Sequence, residues 1–181
     1  MDQDLNPENL HIFAAFPHGT CGMGHTLTLT DMCGFLTKIY PTVQIRHLAA
    51  NVCFYVPGMR ELYMWLGNVS CEKAVAKRQL QEGKSLWIYV GGLKEQIKTR
   101  YNSNTTDIVI KDRKGFVKLA LENGAKLIPT YCFGETDLFY TTTFMQEFRE
   151  MLVKKFRFCL TFCYGEYGLP IPMKKKLTLG K

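Results

Sequence analysis

Between Phe13 and Leu27 the chain reads FAAFPHGTCGMGHTL. An apolar run breaks at Pro17. His18 follows at once, with Gly19, Gly22 and Gly24 close behind. A histidine just past a buried strand suits a general base, because its ordinary pKa of about 6.5 lets it take and return a proton near neutrality. The glycines allow close backbone approach and leave N–H groups unobstructed, which suits an oxyanion. A turn histidine with a structural role is the competing reading. His18, Cys21 and His25 also make a metal-like triple, but their spacing fits no standard zinc site and no fourth ligand stands nearby. Cys21 as a nucleophile beside His18 or His25 competes with the commoner structural cysteine.

Two more glycine-bounded ends carry carboxylates. Glu95 follows Gly91-Gly92 and can orient an imidazole or a substrate hydroxyl. Glu135 follows Gly134 in FGETD and has the same two readings, functional or solvated. Pro17, Gly91, Gly92 and Gly134 border these loops and are expected to line the substrate path. Lys111, Lys114 and Lys118 recur at helical spacing with Arg113 beside them. They form either a solvated face or a contact to the phosphates of coenzyme A. The run Lys174 to Lys176 suits anionic lipid headgroups or is simply exposed. The sequence contains no phosphate loop, no dinucleotide fingerprint, no serine-hydrolase elbow and no nucleic-acid motif.

Short strands and helices must position these groups. Leu10 to Phe16, Ile45 to Ala50, Ser85 to Val90, Lys126 to Phe133 and RFCLTFCY (157–164) read as strands. Residues 24–40 read weakly as a helix, and RELYMWLG as one or two helical turns after the Pro57-Gly58 turn. CEKAVAKRQLQE reads as a helix capped by Ser70 and stopped by Gly83. Further helices are expected from about Arg113 to Asn123 and from Phe144 to Phe156. The alternation implies an α/β fold, a mostly parallel sheet flanked by helices. In such sheets ligands bind beyond the carboxyl ends of strands. The ends in PHG, VGGLKE and FGE fall at one edge, which is the main argument for an active site.

With 181 residues the chain is expected to form a single domain over 1–181. Apolar residues make up 46%, which excludes a disordered chain. The net charge of +7 is compatible with a nucleic acid, an anionic membrane surface or a phosphorylated co-substrate. Seven scattered cysteines with no Cys-x-x-Cys pair point to a reducing compartment rather than a disulfide framework. The triplets at Asn68 and Asn104 read as chance matches to a glycosylation signal. The start, MDQDLNPENLH, resembles no signal peptide. No window reaches the roughly 18 apolar residues that span a bilayer.

The ordered segments FPHGTCGMG, YVPGMRELYMWLGNVSCEKA, YVGGLKEQI, RKGFVKLALENGAKLIPTYCFGETDLF and GLPIPMKKKLTLGK resemble the type-2 diacylglycerol acyltransferase family, with its monoacylglycerol and wax-ester relatives. The resemblance implies transfer of a fatty acyl group from acyl-CoA to diacylglycerol, giving triacylglycerol. It implies His18 as the catalytic histidine and Glu95 as the glutamate of a Gly-Gly-x-x-Glu segment. It also implies a fold like that of the glycerol-phosphate acyltransferases, with Met23 where their His-x-x-x-x-Asp motif has its aspartate. Phe16 stands where the family has a first histidine. The family's N-terminal membrane hairpin and part of its C-terminal region are expected to be missing.

The resemblance further implies acyl-CoA as co-substrate without a cofactor or metal, and an acylglycerol acceptor. It implies a membrane surface, no nucleic acid, and room for a homo-oligomer. The expected location is the cytoplasmic face of the endoplasmic reticulum membrane and the lipid droplet. The competing functions are a catalytically inactive lipid- or acyl-CoA-binding fragment, and an acyltransferase acting on monoacylglycerol or a long-chain alcohol.

Overall fold

The structure is a computed structural model, and it describes residues 9–24, 26, 43–103, 105–157 and 159–180. Six strands form the main sheet: β1 (His11–Phe16), β2 (Ile45–Ala49), β3 (Asn68–Ser70), β4 (Ser85–Tyr89), β5 (Lys126–Phe133) and β8 (Thr178–Gly180). Their order is β3-β2-β4-β1-β5-β8. β2 runs parallel to both β3 and β4, and β8 is antiparallel to β5. The α/β reading with a mostly parallel sheet therefore holds. β1 is buried at all six positions, as its unbroken apolar run and its place between β4 and β5 require.

Compact packing divides the chain into two units. The first comprises Met1–Ala14, His25–Ile88 and Lys114–Pro129. Its helices are α1 (Met59–Trp65), α2 (Lys73–Gln81) and α4 (Gly115–Asn123). Ala76 and Leu80 of α2 and Leu119 and Ala120 of α4 join Ile12 and Leu86 in one apolar cluster. Trp87 stacks with Phe13 and His47 at centroid distances of 5.6 and 5.5 Å. The helix expected over residues 24–40 lies almost wholly outside the described residues.

The second unit comprises Ala15–Gly24, Tyr89–Arg113 and Thr130–Lys181. It holds the short helix α3 (Leu93–Gln96), the longer α5 (Gln146–Phe156), and the strand pair β6 (Tyr140–Thr141) and β7 (Cys163–Tyr164). α5 buries a charged residue beside Val153. Arg149 is buried and donates to the carbonyls of Leu160 and Thr142, both at 2.7 Å, while Phe148, Met151 and Phe156 are exposed.

Several boundaries differ from expectation. α2 begins at Lys73 with Glu72 as its N-cap, because Ser70 is the last residue of β3. Ser70 still contributes, since its Oγ accepts the Glu72 N–H at 3.2 Å. α4 begins at Gly115, which leaves Lys111 in a turn, so the shared helical face of Lys111, Lys114 and Lys118 does not exist. Among the described residues of RFCLTFCY, Cys163–Tyr164 alone forms a strand. It pairs antiparallel with β6 in a two-stranded ribbon outside the main sheet. Asn68 is buried with its amide on the Tyr63 carbonyl, which closes it to glycosylation; Asn104 lies outside the described residues.

Candidate active site

The site gathers in the second unit, where β1, β4 and β5 end. His18 follows the end of β1 and is half-buried. Its Nδ1 lies 3.3 Å from the Gly19 carbonyl oxygen. A carbonyl only accepts, so Nδ1 carries the hydrogen and Nε2 keeps its lone pair. The ring packs on Tyr89 at a centroid distance of 4.9 Å. Burial holds the imidazole pKa below its ordinary value, against the pull of the Gly19 carbonyl. His18 is therefore neutral at pH 7, the state a general base needs.

Glu95 sits on α3, just after the Gly91-Gly92 turn. Its carboxylate is buried, and Oε1 accepts the backbone N–H of His18 at 3.1 Å. It fixes the main chain under the histidine rather than its imidazole. Gly91 has no alternative here, because a Cβ at this position would coincide with the Glu95 carboxylate. Gly92 adopts φ +56° as it opens α3, a conformation glycine takes readily. Arg113 secures the same turn by donating from Nη2 to the Gly91 carbonyl at 3.1 Å. Burial raises the Glu95 pKa, while the His18 and Val109 amides and the Arg113 charge pull it down.

Glu135 ties the third strand end to the first. Its buried carboxylate accepts the N–H groups of Met23 at 2.6 Å and Gly24 at 2.7 Å, and the Cys132 thiol at 3.4 Å. Met23 and Gly24 open a helical turn, where a carboxylate is favoured by the unpaired amides. Burial pushes the Glu135 carboxyl up to about 7 despite these three donors. Gly19 lies at φ +62°, and a Cβ there would stand 2.5 Å from Glu135 Cγ. Gly134 lies at φ +89° against the Lys176 carbonyl and turns the chain into Glu135.

The structure thus brings together Pro17, His18, Gly19, Gly22, Gly24, Gly91, Gly92, Glu95, Arg113, Gly134 and Glu135. The N–H groups of Met23 and Gly24 are already committed to Glu135, which withdraws Gly24 from the oxyanion reading. Lys114 and Lys118 belong to the first unit, where Lys118 lies 3.8 Å from Glu122. Cys21 is a poor nucleophile: its hydrogen bond with Cys163 and its desolvation push the thiol pKa up. His25 lies outside the described residues, and among those described no three metal-binding side chains cluster. Two residues escaped sequence reading. Tyr89 backs the His18 ring and stands 3.2 Å from where a Gly22 Cβ would be. Gln96 donates from Nε2 to the Thr20 carbonyl at 2.6 Å. Their adjacency to the Gly-Gly turn was the available signal.

Known proteins share this arrangement of segments. The diacylglycerol acyltransferase family model matches residues 1–179. Diacylglycerol O-acyltransferase 1 of Schizosaccharomyces pombe is 31% identical over 97% of this chain and 54% of its own length. Diacylglycerol O-acyltransferase 2 of Dictyostelium discoideum is 33% identical over 77% of this chain and 42% of its own length. Human acyl-CoA wax alcohol acyltransferase 1 is 33% identical over 91% of this chain and 49% of its own length. The chain spans about half the length of these curated relatives. No solved structure matches it. The segments that build the His18 site and the match along nearly the whole chain agree: the chain belongs to the diacylglycerol acyltransferase family.

Proposed function

We propose that this chain is an acyl-CoA-dependent O-acyltransferase that transfers a fatty acyl group to diacylglycerol, with His18 as general base. One observation carries the reading. A neutral imidazole, with Nδ1 on the Gly19 carbonyl and its backbone held by buried Glu95, stands where three strand ends meet. Nε2 takes the proton from the acceptor hydroxyl, and the oxygen attacks the thioester carbonyl carbon. The amides of Gly19 to Gly22 receive the oxyanion. Collapse of the tetrahedral intermediate expels coenzyme A as a thiolate, which takes the proton back from His18. Neither a metal nor a cofactor enters this scheme.

A distant relation to the glycerol-phosphate acyltransferases is part of this reading and rests on His18 alone, since Met23 replaces the aspartate of their His-x-x-x-x-Asp motif. A membrane surface at the endoplasmic reticulum or a lipid droplet suits substrates that dissolve in lipid. Among the described residues no helix is long and apolar enough to cross a membrane. The second unit exposes the aromatics Phe144 and Tyr167, whose rings suit a lipid surface. A long-chain alcohol acceptor is the second reading, favoured by the similarity to a wax alcohol acyltransferase.

The test is transfer of labelled oleoyl-CoA to diacylglycerol in membranes from cells that lack their own acyltransferases. The chain is compared with its His18→Ala variant at equal abundance. Triacylglycerol from the chain, with a loss of at least about 100-fold in the variant, is the expected result. No product from either with diacylglycerol, monoacylglycerol or fatty alcohol leaves a binding protein instead.

A further inference from the structure

Two cysteines meet beside the His18 loop. The Cys21 thiol donates a hydrogen bond to the sulfur of Cys163, and both residues belong to the second unit. Neither is joined in a disulfide; Cys21 is exposed and Cys163 partly so. The contact is braced from both sides. Cys163 opens β7 opposite Thr141 of β6, and Arg149 pins the flanking chain through the Leu160 and Thr142 carbonyls. Cys21 stands between the Thr20 carbonyl, which accepts from Gln96, and the Met23 and Gly24 amides, which donate to Glu135. The acyl-transfer scheme uses neither thiol.

The contact makes the two thiols unlike. Cys21 keeps its proton, because the hydrogen bond and the chain packed around it raise its pKa. Cys163 gains thiolate character from the same hydrogen bond and from the Arg149 charge, which together outweigh its desolvation. A reachable thiolate with a second thiol already against it is the arrangement that captures oxidation as a disulfide before it runs on to higher acids. In a reducing compartment such a bond is transient rather than structural. Closing it also changes the site. Disulfide sulfurs stand about 2.05 Å apart, closer than any hydrogen-bonded pair. Cys21 is drawn toward β7 and away from the anchors at Thr20, Met23 and Gly24. The loop amides next to His18 move with it, and a displacement of about 1 Å near the reacting atoms costs on the order of 100-fold in rate.

We infer that Cys21 and Cys163 are a reversible modification site for hydrogen peroxide, closing to a disulfide that switches the His18 loop off. The Cys163 thiolate attacks one peroxide oxygen and the O–O bond breaks. This gives a Cys163 sulfenic acid and hydroxide, which takes a proton to become water. The Cys21 sulfur then attacks the Cys163 sulfur, the S–O bond breaks, and hydroxide leaves with the Cys21 proton as a second water. Both thiols are oxidised and one peroxide is reduced. A dithiol reverses the bond by exchange and is itself oxidised to its disulfide. The effect on rate rests on the acyltransferase reading above; the linkage does not.

The experiment treats the full chain and its Cys163→Ser and Cys159→Ser variants with hydrogen peroxide and then with a dithiol. Peptide mass spectrometry reads the linkage, and transfer of labelled oleoyl-CoA to diacylglycerol reads the rate. The full chain and Cys159→Ser are expected to give a Cys21–Cys163 linked peptide and to lose at least about tenfold in rate, restored by the dithiol. Cys163→Ser is expected to match the reduced full chain and to hold that rate under peroxide. Peroxide that leaves both thiols free, or that links Cys21 to another cysteine, overturns the inference. A linked chain of undiminished rate overturns it too, as does an equal loss in Cys163→Ser. A chain that links but, when reduced, acylates neither diacylglycerol, monoacylglycerol nor fatty alcohol overturns the acyltransferase reading and the switch, and leaves the linkage standing.

Discussion

Protonation is the residue-scale property on which the site turns. Burial lowers the His18 pKa, so the imidazole proposed as base is neutral at pH 7. The acid limb of kcat/KM, which reports the free enzyme, is expected to fall below about pH 6.5. A pH–rate profile checks this, and a limb above that value would assign the base to another group. Glu135 acts in the opposite sense. Its carboxyl keeps its proton to about 7 in the folded chain, against an ordinary value of 4.5. Between those values the folded state binds the extra proton, so stability is fullest below about 4.5 and is lost as pH rises through 7. The loss is on the order of 3–4 kcal/mol. Glu95, also raised, adds to the same slope. Thermal melts at about pH 5 and pH 7.5 should therefore differ more for the native chain than for Glu135→Gln, which cannot titrate. An equal difference in both would remove Glu135 as the source.

At the scale of elements, the strand-end turns are the vulnerable parts. Gly91→Ala forces the Glu95 carboxylate out of its position and frees the His18 amide. Its expected cost is about 1–3 kcal/mol of stability and most of the activity. Paired urea melts and transfer assays measure both. Folding without change would mean the turn adjusts at no cost. The strands that hold these turns were legible because β1, β4 and β5 are apolar runs cut off by Pro or Gly. Three-residue β3 and β8 were not, since such short pairings are decided by their neighbours rather than by their own pattern. The placement of His18, Glu95 and Glu135 just beyond strand ends was legible. Their division of labour was not, because it depends on which carboxylate oxygen meets which amide across more than seventy residues. The lysine face misled because helical spacing was read one turn beyond the actual start of α4.

The whole molecule carries a net charge of +7 and presents much apolar surface to solvent. Trp65 is 84% exposed and Tyr167 86%, and α5 turns phenylalanines outward while it hides Arg149. Unfolding cannot newly hydrate side chains that water already reaches. The heat-capacity increment of unfolding should therefore fall short of the usual ~12–15 cal/mol/K per residue. Differential scanning calorimetry across a series of pH values gives that increment from the slope of enthalpy against midpoint temperature. A shortfall would leave this chain with a flat stability curve, its fold weakening only slowly on cooling as well as on warming.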